Sequence, residues 1–343
     1  MDIQRAIDLI SRFGHLQADE AEAVMNQIMR GEASEAQIGA YLMGLRMKGE
    51  TLDEIAGSAL AMRTNGERVP TKYSGGDLLD TCGTGGDKSG TFNISTTVAF
   101  VAAGAGIPVA KHGNRAATSK CGSADVLSEL GVSLDLTPEQ VGKCIDEVGI
   151  GFLFAAKLHP AMKFAINPRR QMAVRTIFNI LGPLTNPAGA RMQLMGIFAG
   201  DLTDLIAHVL GDLGAKSALV VNGYGGLDEL TTTGPNTISQ LRDGRVKSYE
   251  LDPLDYGFKG ANIHDLLGGD APTNAAILRG VLTGEIQDAR RDVVVLNAGA
   301  ALVAGGKAED IMEGIQLAAQ IIDSGAALAK LEALINCSRG LVQ

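Results

Sequence analysis

The chain has no tryptophan, and its 343 residues include only nine Phe and five Tyr. Little is therefore available to build an aromatic platform for stacking bases. A basic excess is missing too: 30 Lys and Arg face 39 Asp and Glu, a net charge of −9. An acidic chain without a basic tract is a poor partner for nucleic acid or anionic membrane. Any anionic ligand must be met locally, by backbone N–H groups, a few fixed cations or a metal. Cysteine is scarce, at Cys82, Cys121, Cys144 and Cys337, with no C-x-x-C and no zinc spacing. The expectation is reduced thiols in a cytoplasmic protein. No apolar run approaches the roughly 18 residues of a membrane span. Met1-Asp2-Ile3-Gln4 is amphipathic and acidic, unlike a signal peptide. The 44 Gly and ten Pro follow no Gly-X-Y repeat, which excludes collagen. H-E-x-x-H, G-x-S-x-G and EF-hand patterns are absent.

What remains is 45% apolar and 20% charged, the make-up of a globular chain of about two domains at roughly 150 residues each. The first 65 residues carry helical spacing only. Ile3, Ala6, Ile7, Ile10 and Phe13 share one face. A second helix runs from about Asp19 to Gly31. Ser34-x-x-Gln37 and Thr51-x-x-Glu54 are capping boxes that open two more. Met43, Leu45 and Met47 exceed what a thin bundle can hide, so either a partner or the rest of the chain covers them. Around Pro70, Gly75 and Gly76 the texture changes. Strand candidates at Leu78–Asp80, Ile107–Ala110 and Ser217–Val221 then alternate with helices at 96–105, 124–130, from Thr137, and 201–214. Residues 272–334 return to Ala-rich helices. The alternation predicts an α/β domain with a largely parallel central sheet.

Three segments after strands carry chemistry. Asp80-Thr81-Cys82-Gly83-Thr84-Gly85-Gly86-Asp87 leads through Thr91 and Asn93 to Thr96 at a helix mouth. A strand–glycine loop–helix aims free N–H groups at one point, which suits phosphate. It is neither a Walker loop nor a dinucleotide fingerprint; the competing reading is a plain glycine turn. Lys111-His112-Gly113-Asn114-Arg115 continues to Ser123 with three cations in thirteen residues, as a second anion loop or a solvated one with Ser123 as helix cap. Asn222-Gly223-Tyr224-Gly225-Gly226-Leu227-Asp228-Glu229 sets adjacent carboxylates on a glycine-flanked turn. Oxygen ligands without His or Cys suit Mg²⁺, although an isolated Asp-Glu pair also fits a solvated turn. Asn167-Pro168-Arg169-Arg170 and the stretch Asn179–Pro187 complete the set; Arg169 has the fork geometry for a carboxylate.

Four of these stretches, Asp80–Asp87, Lys111–Arg115, Asn179–Pro187 and Leu227–Leu230, in this order and spacing, make the chain resemble the anthranilate phosphoribosyltransferases over nearly its whole length. The resemblance implies a fold shared with the pyrimidine nucleoside phosphorylases. A small all-helical N-terminal domain, 1–68 with added helices from about 169–190, lies beside an α/β domain, 75–343, with the active site between them. It implies transfer of a phosphoribosyl group from phosphoribosyl pyrophosphate (PRPP) to anthranilate in tryptophan biosynthesis, by a homodimer joined through the helical domain. It puts Gly83, Gly86, Asp87, Thr91, Asn93, Ile94, Ser95 and Thr96 on PRPP. Lys111, His112, Gly113, Asn114, Arg115, Ala116, Ala117, Thr118, Ser119 and Ser123 form the second phosphate-binding stretch. Anthranilate meets Gly83, Asn114 and Arg169, and Mg²⁺, two ions per monomer, meets Ser95, Asp228 and Glu229. Lys111, Asn114 and Arg169 would carry catalysis. Ala117, Thr118, Cys121 and Asn222 depart from the commonest family wording; of these, Cys121 puts a side-chain hydrogen bond in question. The alternatives are a pyrimidine nucleoside phosphorylase, a paralogous phosphoribosyltransferase, or a non-catalytic anion-binding relative.

Overall fold

A computed structural model describes residues 1–116 and 119–342. The chain opens with helices α1 (Ile3–Ser11), α2 (Ala18–Met29), α3 (Glu35–Lys48) and α4 (Leu52–Thr64). Their starts follow from local chemistry. Asp2, Ser34 and Thr51 each accept a backbone N–H three residues on, which satisfies donors that a helix start leaves free. Gln37 and Glu54 close the two capping boxes in return. Phe13 is a correction to the amphipathic reading of α1. It lies beyond the helix in a left-handed conformation (φ 61°) and is 65% exposed. Leu45 is likewise no surplus: it is buried in the bundle, whereas Met47 is 71% exposed.

Glu54 does more than cap. Its carboxylate accepts from Lys48 Nζ (2.6 Å), Leu16 N (3.0 Å) and Thr51 N (2.9 Å). Both side chains of the pair are buried, so the ion pair ties α3, α4 and the α1–α2 connection inside the bundle.

The sheet begins with β1 (Leu79–Gly83), followed by α5 (Ile94–Gly104), β2 (Val109–Gly113), α6 (Ser123–Leu130), α7 (Pro138–Val148) and β3 (Ile150–Phe154). Short α8 (Ala155–Leu158), then α9 (Lys163–Met172) and α10 (Phe178–Leu181), precede β4 (Met192–Gly196), α11 (Thr203–Asp212) and β5 (Ser217–Asn222). A hairpin of β6 (Asn236–Arg242) and β7 (Arg245–Leu251) follows, then α12 (Ala271–Thr283), α13 (Ala289–Ala304), α14 (Ile311–Asp323) and α15 (Ala326–Gly340). The strand order is β3-β2-β1-β4-β5-β6-β7, parallel through β5 and antiparallel in the last two pairings. The sheet is therefore largely parallel, as expected. The hairpin turns on Asp243 and Gly244, both at positive φ, the pairing that a two-residue hairpin favours.

Alternation along the strands divides the core. Leu194, Leu219 and Val221 point toward α5 and α13, while Met195, Ala218 and Val220 point toward α11 and join the apolar cluster of α1–α4. Ala165, Phe178, Ile180 and Leu181, from α9 and α10, belong to that same cluster. Of the Ala-rich C-terminal helices, α13 is no surface helix: it is buried at every residue from Val293 to Ala304.

Replacing Glu54 by Ala leaves the Lys48 ammonium buried without its counter-charge. It should cost about 3–5 kcal/mol in urea unfolding, and Glu54→Gln, which keeps one acceptor oxygen but likewise removes the counter-charge, nearly as much.

Candidate active site

The order β2-β1-β4-β5 reverses direction at β1, and such a switch point opens a crevice beyond the strands' carboxyl ends. The loops after β1, β2 and β5 all leave at that end. Gly83 closes β1, and a Cβ there would stand 2.3 Å from an Asp228 carboxylate oxygen. Gly196 closes β4, and its Cβ would stand 1.6 Å from the Asp228 carbonyl. Two residues without side chains thus let the turn after β5 lie across β4 and reach the β1 loop.

The contact is direct. Gly85 N donates to Asp228 Oδ2 at 2.6 Å, and Ser95 N, in the first turn of α5, donates to Glu229 Oε1 at 3.1 Å. Asn297 of α13 holds the same turn from below. Its amide accepts from Leu230 N (2.9 Å) and donates to Leu230 O (2.7 Å). Asn222 braces it from the strand side, donating to Ile197 O and Leu227 O. Burial, then the neighbouring Asp87, pushes the Asp228 carboxyl up to about 7. Burial, then Asp228, pushes Glu229 up to about 8, against the pull of Lys111. Both residues keep part of their surface open, the access that an incoming cation needs. One oxygen of Asp87 is buried without a hydrogen-bond partner, while the other accepts from Ser89 N at 3.1 Å. Crowded carboxylates whose ionisation the protein opposes are a donor set that suits a hard divalent cation. Among the described residues, no three His, Cys, Asp or Glu side chains close around one point. Such an ion would need further oxygen ligands, as Mg²⁺ takes from phosphates.

Lys111 is buried on β2, and its Nζ donates to Thr81 O and to His112 O (3.4 Å). His112 N donates to Asp80 Oδ1 (3.0 Å), and Asn186 Nδ2 donates to Asp80 Oδ2 and Ala110 O, both at 2.8 Å. Asp80 and Asn186 thus cross-link β1, β2 and the 186–188 turn beneath the loops. The rings of His112 and His159 lie 5.2 Å apart. Burial first, then His159 and Lys111, lowers His112 to about 3; burial lowers His159 to about 4. Both rings are neutral near pH 7, each with a buried Nε2 that lacks a partner.

Other predicted residues take varied places. Thr91 bridges to Leu267, and its hydroxyl meets that of Ser89. Asn93 precedes α5; it donates to Cys121 O and accepts from Asn274, joining three segments. The Cys121 contact is through its backbone, so the thiol costs that link nothing. Ile94 is in the core, which leaves only its backbone for a ligand. Thr96 is buried with its hydroxyl unpartnered. Gly113 packs against Phe152 and Ser123. Asn114 accepts from Arg115 N at 2.8 Å; Arg115 is paired with Asp125 at 2.7 Å, and Ala116 N donates to Asp125 as well. Ser119 is exposed, and Ala117 and Thr118 lie outside the described residues. Ser123 is not the cap of α6: Gly122 is, its N–H satisfied by Asp125, and Ser123 is the first helical residue. Arg169 sits on α9 with its guanidinium 5.1 Å from the Phe178 ring centre and, among the described residues, no ion pair. Burial lowers its pKa, so an incoming carboxylate meets an under-compensated cation.

Sequence reasoning passed over Arg175, His159 and Asn297. Arg175 Nη2 donates to Gly86 O, and its guanidinium lies 4.0 Å from the Phe198 ring centre. No local pattern marks these three, since each works through a residue far along the chain.

The raised carboxyls of Asp228 and Glu229 favour the folded state while protonated, and lose that advantage as pH rises from the ordinary carboxylate range through about 8. With chelator present, Glu229→Gln should therefore gain thermal stability relative to the parent chain between pH 5 and pH 8, and added Mg²⁺ should stabilise only the parent. A pH-independent difference in melting temperature would overturn the burial argument.

Residues 75–328 match the family described as "Glycosyl transferase family, a/b domain", and residues 4–66 match its "helical bundle domain". The anthranilate phosphoribosyltransferase of Pelotomaculum thermopropionicum is 53% identical over 99% of this chain and 97% of its own. A crystal structure of the Thermus thermophilus anthranilate phosphoribosyltransferase superposes with TM-score 0.92 at 42% identity, covering 97% of this chain and 99% of that one. The Saccharomyces cerevisiae enzyme in complex with PRPP and Mg gives 0.89 at 25% identity, covering 99% and 98%. With the helical bundle, the strand order and the four motifs in place along its full length, this chain belongs to the anthranilate phosphoribosyltransferase family.

Proposed function

We propose that the chain transfers the 5-phosphoribosyl group of PRPP to the amine of anthranilate, giving N-(5-phosphoribosyl)anthranilate and pyrophosphate, the second step of tryptophan biosynthesis. The observation that carries the reading is the meeting of the Gly83–Asp87 loop, Lys111 and the Asp228–Glu229 turn in one crevice. On this reading the helical unit, 1–68 with 169–190, contributes Arg169, and the 75–343 unit contributes the phosphate- and metal-binding loops.

An arylamine is largely unprotonated at neutral pH, so no strong base is needed before attack. The barrier lies in breaking the bond at ribose C1, where negative charge grows on the departing pyrophosphate and the sugar becomes oxocarbenium-like. Catalysis then rests on stabilising the leaving group and holding the partners in line. The amides at Gly83–Asp87 and the mouth of α5, from Asn93 to Thr96, meet phosphate oxygens. Lys111 through Ser119, with Ser123, forms the second phosphate-binding stretch. Ser95, Asp228 and Glu229 would hold Mg²⁺, as two ions per monomer with PRPP. Bound there, Mg²⁺ supplies positive charge to the pyrophosphate as it leaves. Arg169 receives the anthranilate carboxylate, while Asn114 and Gly83 orient the ring and amine. His112 is neutral and burial beside Lys111 opposes its charge, so as a weak base it could collect the amine proton only late, after C1 is attacked. The enzyme works as a cytoplasmic homodimer through its helical domain, where Met47 and Phe13 stay exposed. Among the described residues, no helix is long and apolar enough to cross a membrane.

Mixing the chain with anthranilate, PRPP and Mg²⁺ should abolish anthranilate fluorescence; phosphorolysis of thymidine without that loss would favour the nucleoside phosphorylase reading instead. Asp228→Ala with Glu229→Ala should reduce turnover at least about 100-fold and change its Mg²⁺ dependence. Arg169→Ala should raise the anthranilate KM by about 10- to 100-fold with little change in that for PRPP. Equal losses for both substrates would make Arg169 structural.

A further inference from the structure

The glycine loop is fastened from two sides. On one, Gly85 N donates to Asp228 at 2.6 Å. On the other, Gly86 O accepts from Arg175, which belongs to neither flanking strand. Arg175 lies in the segment between α9 and α10, and its own carbonyl accepts from Arg46 Nη1 of α3 at 2.6 Å. Its guanidinium stacks 4.0 Å from the centre of the Phe198 ring, just past β4. Phe198 N in turn donates to Thr84 Oγ1 at 3.2 Å, and Thr84 N to Gly196 O at 2.9 Å. One residue therefore joins the helical layer, through its backbone carbonyl, to the end of β4 and the glycine loop, through its guanidinium.

We propose that Arg175 is a positioning residue for PRPP: it couples the helical layer to the glycine loop and holds the Gly85–Asp87 backbone in its ligand-binding shape. The proposal rests on the function proposed above and adds a residue that acts on the loop rather than on the substrate. Gly85 and Gly86 take positive φ, which glycine adopts freely and therefore leaves freely, and Lys88 takes it too, at a cost to a residue with a Cβ that needs an external hold. The Asp228 oxygen that receives the Gly85 N–H belongs to the carboxylate assigned to the cation, so that tie has a competing use. The Arg175 tie has none, because its acceptor is a carbonyl and its stacking partner a ring. Among the described residues Arg175 forms no ion pair, so its charge stays beside the anion-binding loop. Only a planar guanidinium donates and stacks at once; Lys has no plane to lay on Phe198.

The test reads the loop itself. Lys88 is exposed, so trypsin cutting after it reports loop opening without substrate or metal. Arg175→Ala should speed that cut about tenfold and raise the PRPP KM by a similar factor. The anthranilate KM should stay within about twofold and the melting temperature within a few degrees, the pattern expected when one loop tie worth a charged hydrogen bond is lost. Arg175→Lys should fall between, and Phe198→Leu, which keeps the donor but removes the ring, should shift both readouts the same way by less. An unchanged cutting rate and PRPP KM in the folded Arg175→Ala chain, or an equal rise in both KM values, overturns the proposal. Should Arg175→Ala not fold, unchanged readouts in both Arg175→Lys and Phe198→Leu overturn it equally. If the parent chain does not consume anthranilate, the function fails, and the cutting rate alone still decides the tie.

Discussion

The site depends on burying two adjacent carboxylates at the mouth of a parallel sheet. Asp228 and Glu229 repel each other, and burial opposes the charge on both. They are kept there because the backbone around them is fully engaged: Leu230 by Asn297, the 223–227 turn by Asn222, and the carboxylates by the amides of Gly85 and Ser95. The result is a pair of crowded carboxyls whose ionisation the fold opposes, set beneath a glycine loop that ends at the mouth of α5.

A second layer of buried polar groups explains the stiffness of the surroundings. Asp80 is enclosed in the sheet, and burial raises its pKa against the pull of Lys111, Asn186 and the His112 amide. A buried charge of this kind is tolerated only with its hydrogen bonds made, and Asp80 has them from two separate segments. It fixes the loop after β2 relative to β1. Lys48 and Glu54 play a comparable part in the helical bundle, where one buried pair ties α3 and α4 to the α1–α2 connection.

Much of this was legible in the residues. Capping boxes at Ser34 and Thr51, Pro138 after the Thr137 cap, and glycine past α2 and α3 mark helix ends through interactions within a few residues, so the four opening helices could be read closely. The strand candidates at 78–80, 107–110 and 217–221 overlap β1, β2 and β5 but stop short of Thr81–Gly83 and Lys111–Gly113, which are not apolar, and β3 and β4 had no candidate. The edge hairpin was missed although Asp243-Gly244 announces it, because β7 alternates polar residues on an exposed face and lacks an apolar run. The cap of α6 was misplaced by one residue because Gly122 contributes no side chain and Asp125, inside the helix, satisfies it instead.

By itself the sequence determined the helical start, the α/β alternation and the three ligand-bearing loops, since each is a local pattern of hydrophobic period, turn residues and charge. Only the tertiary structure decided that the loops meet. The insertion of β4 between β1 and β5 brings residue 228 against residue 85, and Gly83 and Gly196 make the room. The same holds for Arg175, Asn297 and Asn186, whose partners lie 67 to 106 residues away. Hydrogen bonds over such distances leave no local pattern, because the strand order that creates them is a property of the packed sheet.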